Sequence, residues 1–248
     1  MTASANPVPA LFHQATHSLS VTEWALAAGY DGVVVDLQHG EIGLEAACTM
    51  LRATPRSVSH AYARVGSADP APILRLLDSG ATGIIVPTVE SAAQATEAVD
   101  AVKYPPVGRR SLGPSRPALY AGAAYVEAGN EAVTVAIQIE TALGVERAEE
   151  ILATPGLDAV YIGPADLAVT YGLPGRGDWT EGPVRQAITE IAEIARQHGV
   201  KVGIYCASPE YARGVIDSGE IDFIGLGIDL VFLGRATREA ITALRGES

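Results

Sequence analysis

Short apolar runs alternate with longer amphipathic stretches along the whole chain. Val8 to His13, Gly32 to Asp36, Ser57 to Val65, Thr82 to Val86, Val133 to Ile139, Ala159 to Ile162, Lys201 to Tyr205 and Phe223 to Leu226 read as strands by length and β-branched content. Between them, Val21 to Ala28, Gly43 to Ala53, Asp69 to Ser79, Ser91 to Val102, Thr141 to Ala153, Pro183 to His198, Pro209 to Asp217 and Val231 to Leu244 read as helices. Asp69 before Pro-Ala-Pro suits an N-cap with proline in the first turn, and Gly80 suits the end of the same helix. Nearly continuous apolar strands predict a parallel sheet covered on both faces. The 248 residues divide into eight strand–helix units of about 31, which predicts one (β/α)8 barrel domain over residues 1–248 rather than an open doubly wound sheet. Tyr104 to Asn130 is too long for a simple connection, and such segments usually carry function or subunit contacts.

Composition narrows the partners. Seventeen Lys and Arg against 29 Asp and Glu give a net charge of −12, which argues against binding nucleic acid or an anionic membrane. Cys48 and Cys206 are too few for a disulfide framework and are expected as buried free thiols in a reducing cytoplasm. The opening MTASANPVPALFHQ has neither a basic nor an apolar signal region, and no apolar run reaches the length of a membrane span. A soluble, cytoplasmic protein is expected.

In a barrel of this type chemistry gathers at the C-terminal ends of the strands. The polar residues there are Asp36, Gln38, His39, Arg64, Gln138 and Glu140, with Gly163-Pro-Ala-Asp166 at the sixth strand. Glu140 and Asp166 at adjacent strand ends form an oxygen-only pair suited to a hard divalent ion, although a carboxylate there also serves as an ion-pair partner. His39 has the type of a general base, and Asp36 and Asp78 are both available to orient it. Arg64 suits a carboxylate or a developing oxyanion, or a salt bridge holding the rim. Ile224-Gly-Leu-Gly227 reads equally as a phosphate turn or as a close backbone turn beside the pocket. Nucleotide binding has no support, since no full glycine-rich fingerprint occurs. The chain has two lysines, Lys103 at a helix end and Lys201 opening a strand, and neither is placed for a Schiff base. Carbon–carbon lyase chemistry in this chain therefore calls for a metal to stabilise an enolate.

Together AAGYDGVVVDLQHG, the Arg64 strand end, LLDSGATGIIVPTVES, YPPVGRRSLG, AIQIET and VYIGPADLA resemble the HpcH/HpaI aldolases, from roughly Leu11 to the C-terminus. These are metal-dependent pyruvate aldolases of the 4-hydroxy-2-oxoheptanedioate and 2-dehydro-3-deoxyglucarate aldolase type. The resemblance implies reversible cleavage of 4-hydroxy-2-oxo acids to pyruvate and an aldehyde through a metal-stabilised enolate. It implies His39 as base in a dyad with Asp78, Arg64 on the keto oxygen, and Glu140 and Asp166 as ligands of Mg²⁺, Mn²⁺ or Co²⁺. Gln138 and the Gly163 to Ala165 backbone, with Asp166, are implied as the pyruvate site. The family is typically a homohexamer, a trimer of dimers whose last helix is exchanged between subunits. Two positions depart from the pattern: Gln38 stands where the family usually has Glu, and His13 where it often has an aromatic. The aldehyde pocket is expected from loops such as the Tyr104 to Asn130 segment, with a neighbouring subunit contributing, and with Tyr205, Cys206 and Leu226 either lining it or packing the barrel. Two alternatives stay open, an acyl-CoA lyase of the malyl- or citramalyl-CoA type and a barrel that binds oxo acids without turning them over.

Overall fold

Gly32–Asp36 is buried at every position, as a strand covered on both faces must be. It is β2 of a closed barrel in which β1 (Ala10–Gln14), β2, β3 (His60–Arg64), β4 (Gly83–Val86), β5 (Thr134–Ile139), β6 (Ala159–Ile162), β7 (Lys201–Cys206) and β8 (Phe223–Ile228) run parallel in chain order. β8 closes on β1. The structure is a computed structural model that describes residues 8–113, 116–122 and 125–246. Most of the N-terminal segment read for a signal, and four positions of the Tyr104 to Asn130 segment, lie outside those residues.

The helices fall between the strands. They are α1 (Leu19–Ala27), α2 (Leu44–Ala53), α3 (Pro70–Ser79), α4 (Ala92–Val102), α5 (Pro117–Ala121), α6 (Tyr125–Ala132), α7 (Ala142–Glu146), α8 (Ala148–Leu152), α9 (Pro164–Thr170), α10 (Gly182–Gln197), α11 (Pro209–Asp217) and α12 (Asp229–Arg245). Asp69 caps α3 through the Ala71 N–H, and Gly80 ends it with φ +111°. Three features differ from the sequence pattern. The single helix expected over Thr141 to Ala153 is two short ones, because Arg147 leaves helical geometry at φ −105°, ψ 13°. α9 starts directly from the strand end, with Pro164 in its first turn and Asp166 behind it. The long segment after α4 contains α5 and α6.

The barrel interior is filled by rings. Tyr62 and Tyr161 both pack on Phe223, with centroids 6.2 and 5.9 Å away, and His13 stacks on Tyr161 at 5.7 Å. Side chains at Gly203 and Gly225 would collide with Phe223 and with the His13–Tyr161 pair, so glycine there makes room for the aromatics. Alternation sends the neighbours outward: Cys206 is fully buried in the layer between strands and helices, and Leu226 packs against the same layer. Of the three residues considered for the pocket, only Tyr205 faces the lumen side, edge-on to His13 at 5.5 Å.

The base of the barrel is tied by Lys103, which is buried and donates to Val133 O at 2.6 Å and pairs with Asp158 at 2.6 Å. Lys201, exposed at the start of β7, is at the same end, so neither lysine reaches the mouth. The Tyr104 to Asn130 segment joins the end of α4 to the start of β5 and therefore also lies at the base. Within one barrel the segment is therefore away from the mouth, and a part for it in the aldehyde pocket requires a neighbouring subunit. At the other extreme, α12 leaves the barrel after its first turn. Phe232 packs on Phe12 at 6.1 Å, while Leu230, Val231, Leu233, Ile241 and Leu244 are exposed.

Candidate active site

Strand ends place the polar set at the mouth. Asp36 and Arg64 are register partners on β2 and β3, both buried, and their side chains join in a two-point ion pair. Arg64 Nε donates to Asp36 Oδ1 at 3.0 Å and Nη2 to Oδ2 at 2.7 Å. Asp36 Oδ1 also accepts the backbone N–H groups of Gln38, at 3.0 Å, and His39, at 3.3 Å. Burial pushes the Asp36 carboxyl up, but the hydrogen bonds and charge of Arg64 outweigh it and hold the group below the usual carboxylate range. With its side edge committed to Asp36, the guanidinium keeps its outer edge, Nη1 and the second Nη2 hydrogen, for a ligand.

On β5, Gln138 and Glu140 stand two residues apart, and Gln138 Nε2 donates to Glu140 Oε2. Thr88, in the turn after β4, donates to Glu140 Oε1 twice, from its N–H at 2.9 Å and its hydroxyl at 2.7 Å. Burial raises the Glu140 carboxyl above its ordinary value; the Thr88 bonds oppose this and the nearby charge of Asp166 adds to it. Two carboxylates at close quarters, one of them buried, form a site that a cation would stabilise. A Cβ at Gly163 would come within 2.6 Å of Glu140 Oε2, so this glycine keeps the space above the carboxylate open. Gln138 Oε1 is buried without a partner. These donors are all hard oxygens and fit a divalent ion of the Mg²⁺ or Mn²⁺ kind. Among the described residues no group of three or more His, Cys, Asp or Glu could hold a metal, so the chain offers this pair of carboxylates.

His39 is exposed on the loop that Asp36 anchors, and its ring makes no hydrogen bond among the described residues. Neither candidate orienter reaches it. The Asp36 oxygens are taken by Arg64 and the loop N–H groups. Asp78 lies one residue from the end of α3, at the base, where its Oδ1 meets the buried Arg110 at 3.1 Å and Arg110 stacks 4.5 Å over Tyr104. Helix α3 runs from the mouth to the base, so Asp78 is at the far end of its own barrel from His39. Ile224 to Gly227 is not a turn but the middle of β8, where the Phe232 ring lies beside Gly227 and the His13–Tyr161 pair beside Gly225.

His13 lies under this site, its Nε2 2.7 Å from the Tyr161 hydroxyl and its Nδ1 buried without a partner. Burial, reinforced by Arg64 and opposed by Asp36, lowers its pKa from 6.5 to about 3. As pH falls from about 6.5 the unfolded chain takes up the proton first, so stability is lost between about pH 6.5 and pH 3 and intact above. At pH 5 the loss from this group is about 2 kcal/mol. Asp36, with its lowered pKa, contributes only at lower pH. Denaturation curves at pH 7 and pH 5 should therefore separate more for the wild type than for His13→Gln; equal separations would contradict a buried neutral histidine.

The structure brings the expected residues Arg64, Gln138, Glu140 and Gly163 to the mouth, with Asp166 in the adjoining helix. It adds Thr88, which the residue pattern does not single out, and Asp36 as the partner in a salt bridge that is one of the two readings of Arg64. No residue pattern announces that Thr88 turns back onto Glu140. The Asp36–Arg64 pairing was accessible through the strand register, which sets the two residues side by side.

At the mouth of this closed parallel (β/α)8 barrel, Arg64 is clamped by Asp36, the Glu140 carboxylate is held by Thr88, Asp166 lies in the adjoining helix, and His39 is exposed on the loop after β2. Residues 10–236 match the model of the HpcH/HpaI aldolase/citrate lyase family, and the chain belongs to that family. It is 38% identical to a hydroxypyruvate/pyruvate aldolase of Rhizorhabdus wittichii, over 87% of this chain and 86% of that protein. It is 33% identical to a 4-hydroxy-2-oxo-heptane-1,7-dioate aldolase of Escherichia coli, over 90% and 85%. The crystal structure of a family protein from Burkholderia cenocepacia superposes with a TM-score of 0.86 at 30% identity, covering 98% of this chain and 96% of that one. The chain is a class II aldolase, a carbon–carbon lyase, and the acyl-CoA lyase alternative is the less favoured.

Proposed function

We propose that this aldolase reversibly cleaves 4-hydroxy-2-oxo acids to pyruvate and an aldehyde, with a divalent cation held by Glu140 and Asp166. The observation that carries this reading is the buried Glu140 carboxylate beside Asp166, under an opening kept clear by Gly163. When bound, the cation supplies Lewis-acid polarisation of the substrate's keto group. Gln138 and the Gly163 to Ala165 backbone, with Asp166, cradle the oxo acid. The outer edge of Arg64 hydrogen-bonds the keto oxygen and stabilises the charge that develops there as the enolate forms. His39 removes the proton of the C4 hydroxyl as the C3–C4 bond breaks and the aldehyde leaves. C3 of the enolate then takes up a proton to give pyruvate, which leaves the site as it began. In the synthetic direction the protonated His39 returns its proton to the new C4 oxygen. The names of the relatives, hydroxypyruvate/pyruvate and 4-hydroxy-2-oxo-heptane-1,7-dioate aldolases, support a small 2-oxo acid as donor.

The dyad with Asp78 then needs a second copy of the chain. Asp78 is at the base, partly exposed, while His39 is exposed at the mouth, so an Asp78 from a neighbouring base orients the imidazole. The exposed apolar face of α12 supports the same assembly, with the helix exchanged between subunits of a hexamer. No helix among the described residues is long and apolar enough to cross a membrane, and both cysteines are free and buried, which supports a cytoplasmic location. The test is pyruvate release from a panel of 4-hydroxy-2-oxo acids by chelator-treated protein, with Mg²⁺ or Mn²⁺ restored or withheld. Release from at least one acid only with metal is expected. Absence of release across the panel would leave an oxo-acid-binding barrel as the better reading.

A further inference from the structure

Thr88 combines three observations. Its φ is +53°, a left-handed conformation that a β-branched residue adopts only under constraint. The constraint is local: Pro87 precedes it, and the next N–H, of Val89, is held by Gln138 O at 3.0 Å. In this conformation its N–H and its hydroxyl converge on one oxygen, Glu140 Oε1. The residue is otherwise exposed, so no packing of its methyl group calls for it. Glycine or asparagine would sit there with less strain, and neither would bring a hydroxyl to Glu140.

A carboxylate oxygen has two acceptor positions. Both on Oε1 are filled by Thr88. On Oε2 one is filled by Gln138, and the other opens toward the space that Gly163 keeps free. We propose that Thr88 is a positioning residue that locks Glu140 beside Asp166 with Oε2 alone presented to the divalent cation. The lock matters because the two carboxylates repel each other before a cation arrives, and an unrestrained Glu140 would turn away. The proposal rests on the reading of Glu140 as a metal ligand.

The test is calorimetric titration of Mn²⁺ into chelator-stripped wild type, Thr88→Val, Thr88→Ser and Glu140→Gln, with the melting temperature of each stripped protein. Thr88→Val should weaken Mn²⁺ binding about 10-fold, the lower end for loss of a residue that orients a ligand, because the backbone N–H remains on Oε1. Its melting temperature should not fall, and Thr88→Ser should bind like the wild type. Glu140→Gln should abolish the binding isotherm. If Glu140→Gln abolishes binding while Thr88→Val binds like the wild type, Thr88 has no positioning role. If Thr88→Ser is as weak as Thr88→Val, the hydroxyl is not the reason. Undiminished binding by Glu140→Gln overturns the ligand role of Glu140 itself, and the role of Thr88 with it.

Discussion

Replacing Glu140 by glutamine is expected to lower kcat/KM for aldol cleavage by at least about 10³-fold, which corresponds to about 4 kcal/mol of transition-state stabilisation. The same change should leave the melting temperature unchanged or slightly higher. Glutamine matches glutamate in shape, its Oε1 can still accept from Thr88, its Nε2 finds an acceptor once Gln138 turns its unpartnered Oε1 toward it, and a charge that burial and Asp166 both disfavour is removed. Activity and stability therefore move independently, which separates a functional carboxylate from a structural one. Assays of cleavage together with thermal melts decide the matter. An active Glu140→Gln protein would remove the basis for a cation at this position.

The second large effect is expected at Arg64, where activity and stability fall together. Arg64→Ala leaves the buried Asp36 carboxylate without its cation, and breaking a buried pair by removing one partner costs about 3–5 kcal/mol. The two loop N–H groups on Asp36 Oδ1 remain and place the cost toward the lower figure. Loss of the outer guanidinium edge from the keto oxygen should in addition reduce kcat by about 10²–10³-fold. Arg64→Lys keeps a charge beside Asp36 but cannot hold it at two points and face a ligand as well, so it should recover stability more than rate. The double change Asp36→Leu, Arg64→Met provides the contrast. Replacing a buried pair by apolar groups is often neutral for the pair itself, but leucine also leaves the loop N–H groups of Gln38 and His39 without their acceptor, so this protein should melt above Arg64→Ala yet below the wild type, and stay inactive. Recovery of activity along with stability would mean that Arg64 only braces the rim.

Much of this architecture is legible in the residues, for reasons that are local. Gly-Val-Val-Val-Asp is apolar enough to be a doubly covered strand wherever it occurs, and Asp69-Pro-Ala-Pro followed by Gly80 carries its own helix boundaries. Once strand ends are known, Arg64, Gln138 and Glu140 fall at the mouth by alternation, and Asp166 follows four residues after the end of β6. What was not legible depends on the path of the chain in three dimensions. That the Tyr104 to Asn130 segment belongs to the base follows already from the helix expected before it and the strand expected after it; what the residues do not show is that it contains α5 and α6. Asp78 reads as a partner for His39, and only the direction of α3 shows that the two lie at opposite ends of one barrel. Thr88 carries no signal of its own in the sequence, because a positive φ at a β-branched position is set by its neighbours and not by its own type. The short α9 is hidden by Pro164, which starts a helix here where the sequence suggests a strand-tip loop.

The two lysines acquire their meaning from the same geometry. Both are at the base, one of them locked onto Asp158, so in the proposed reaction enolate formation at the mouth falls to the carboxylate pair and Arg64. The most direct test of that claim needs no knowledge of the aldehyde. Exchange of the pyruvate methyl protons into D₂O, followed by proton NMR, reports enolate formation alone. Chelator-stripped wild type should exchange no faster than buffer and should gain exchange when Mg²⁺ is restored, and Glu140→Gln should remain silent in both conditions. Exchange by the stripped wild type, at the rate seen with Mg²⁺, would contradict the account.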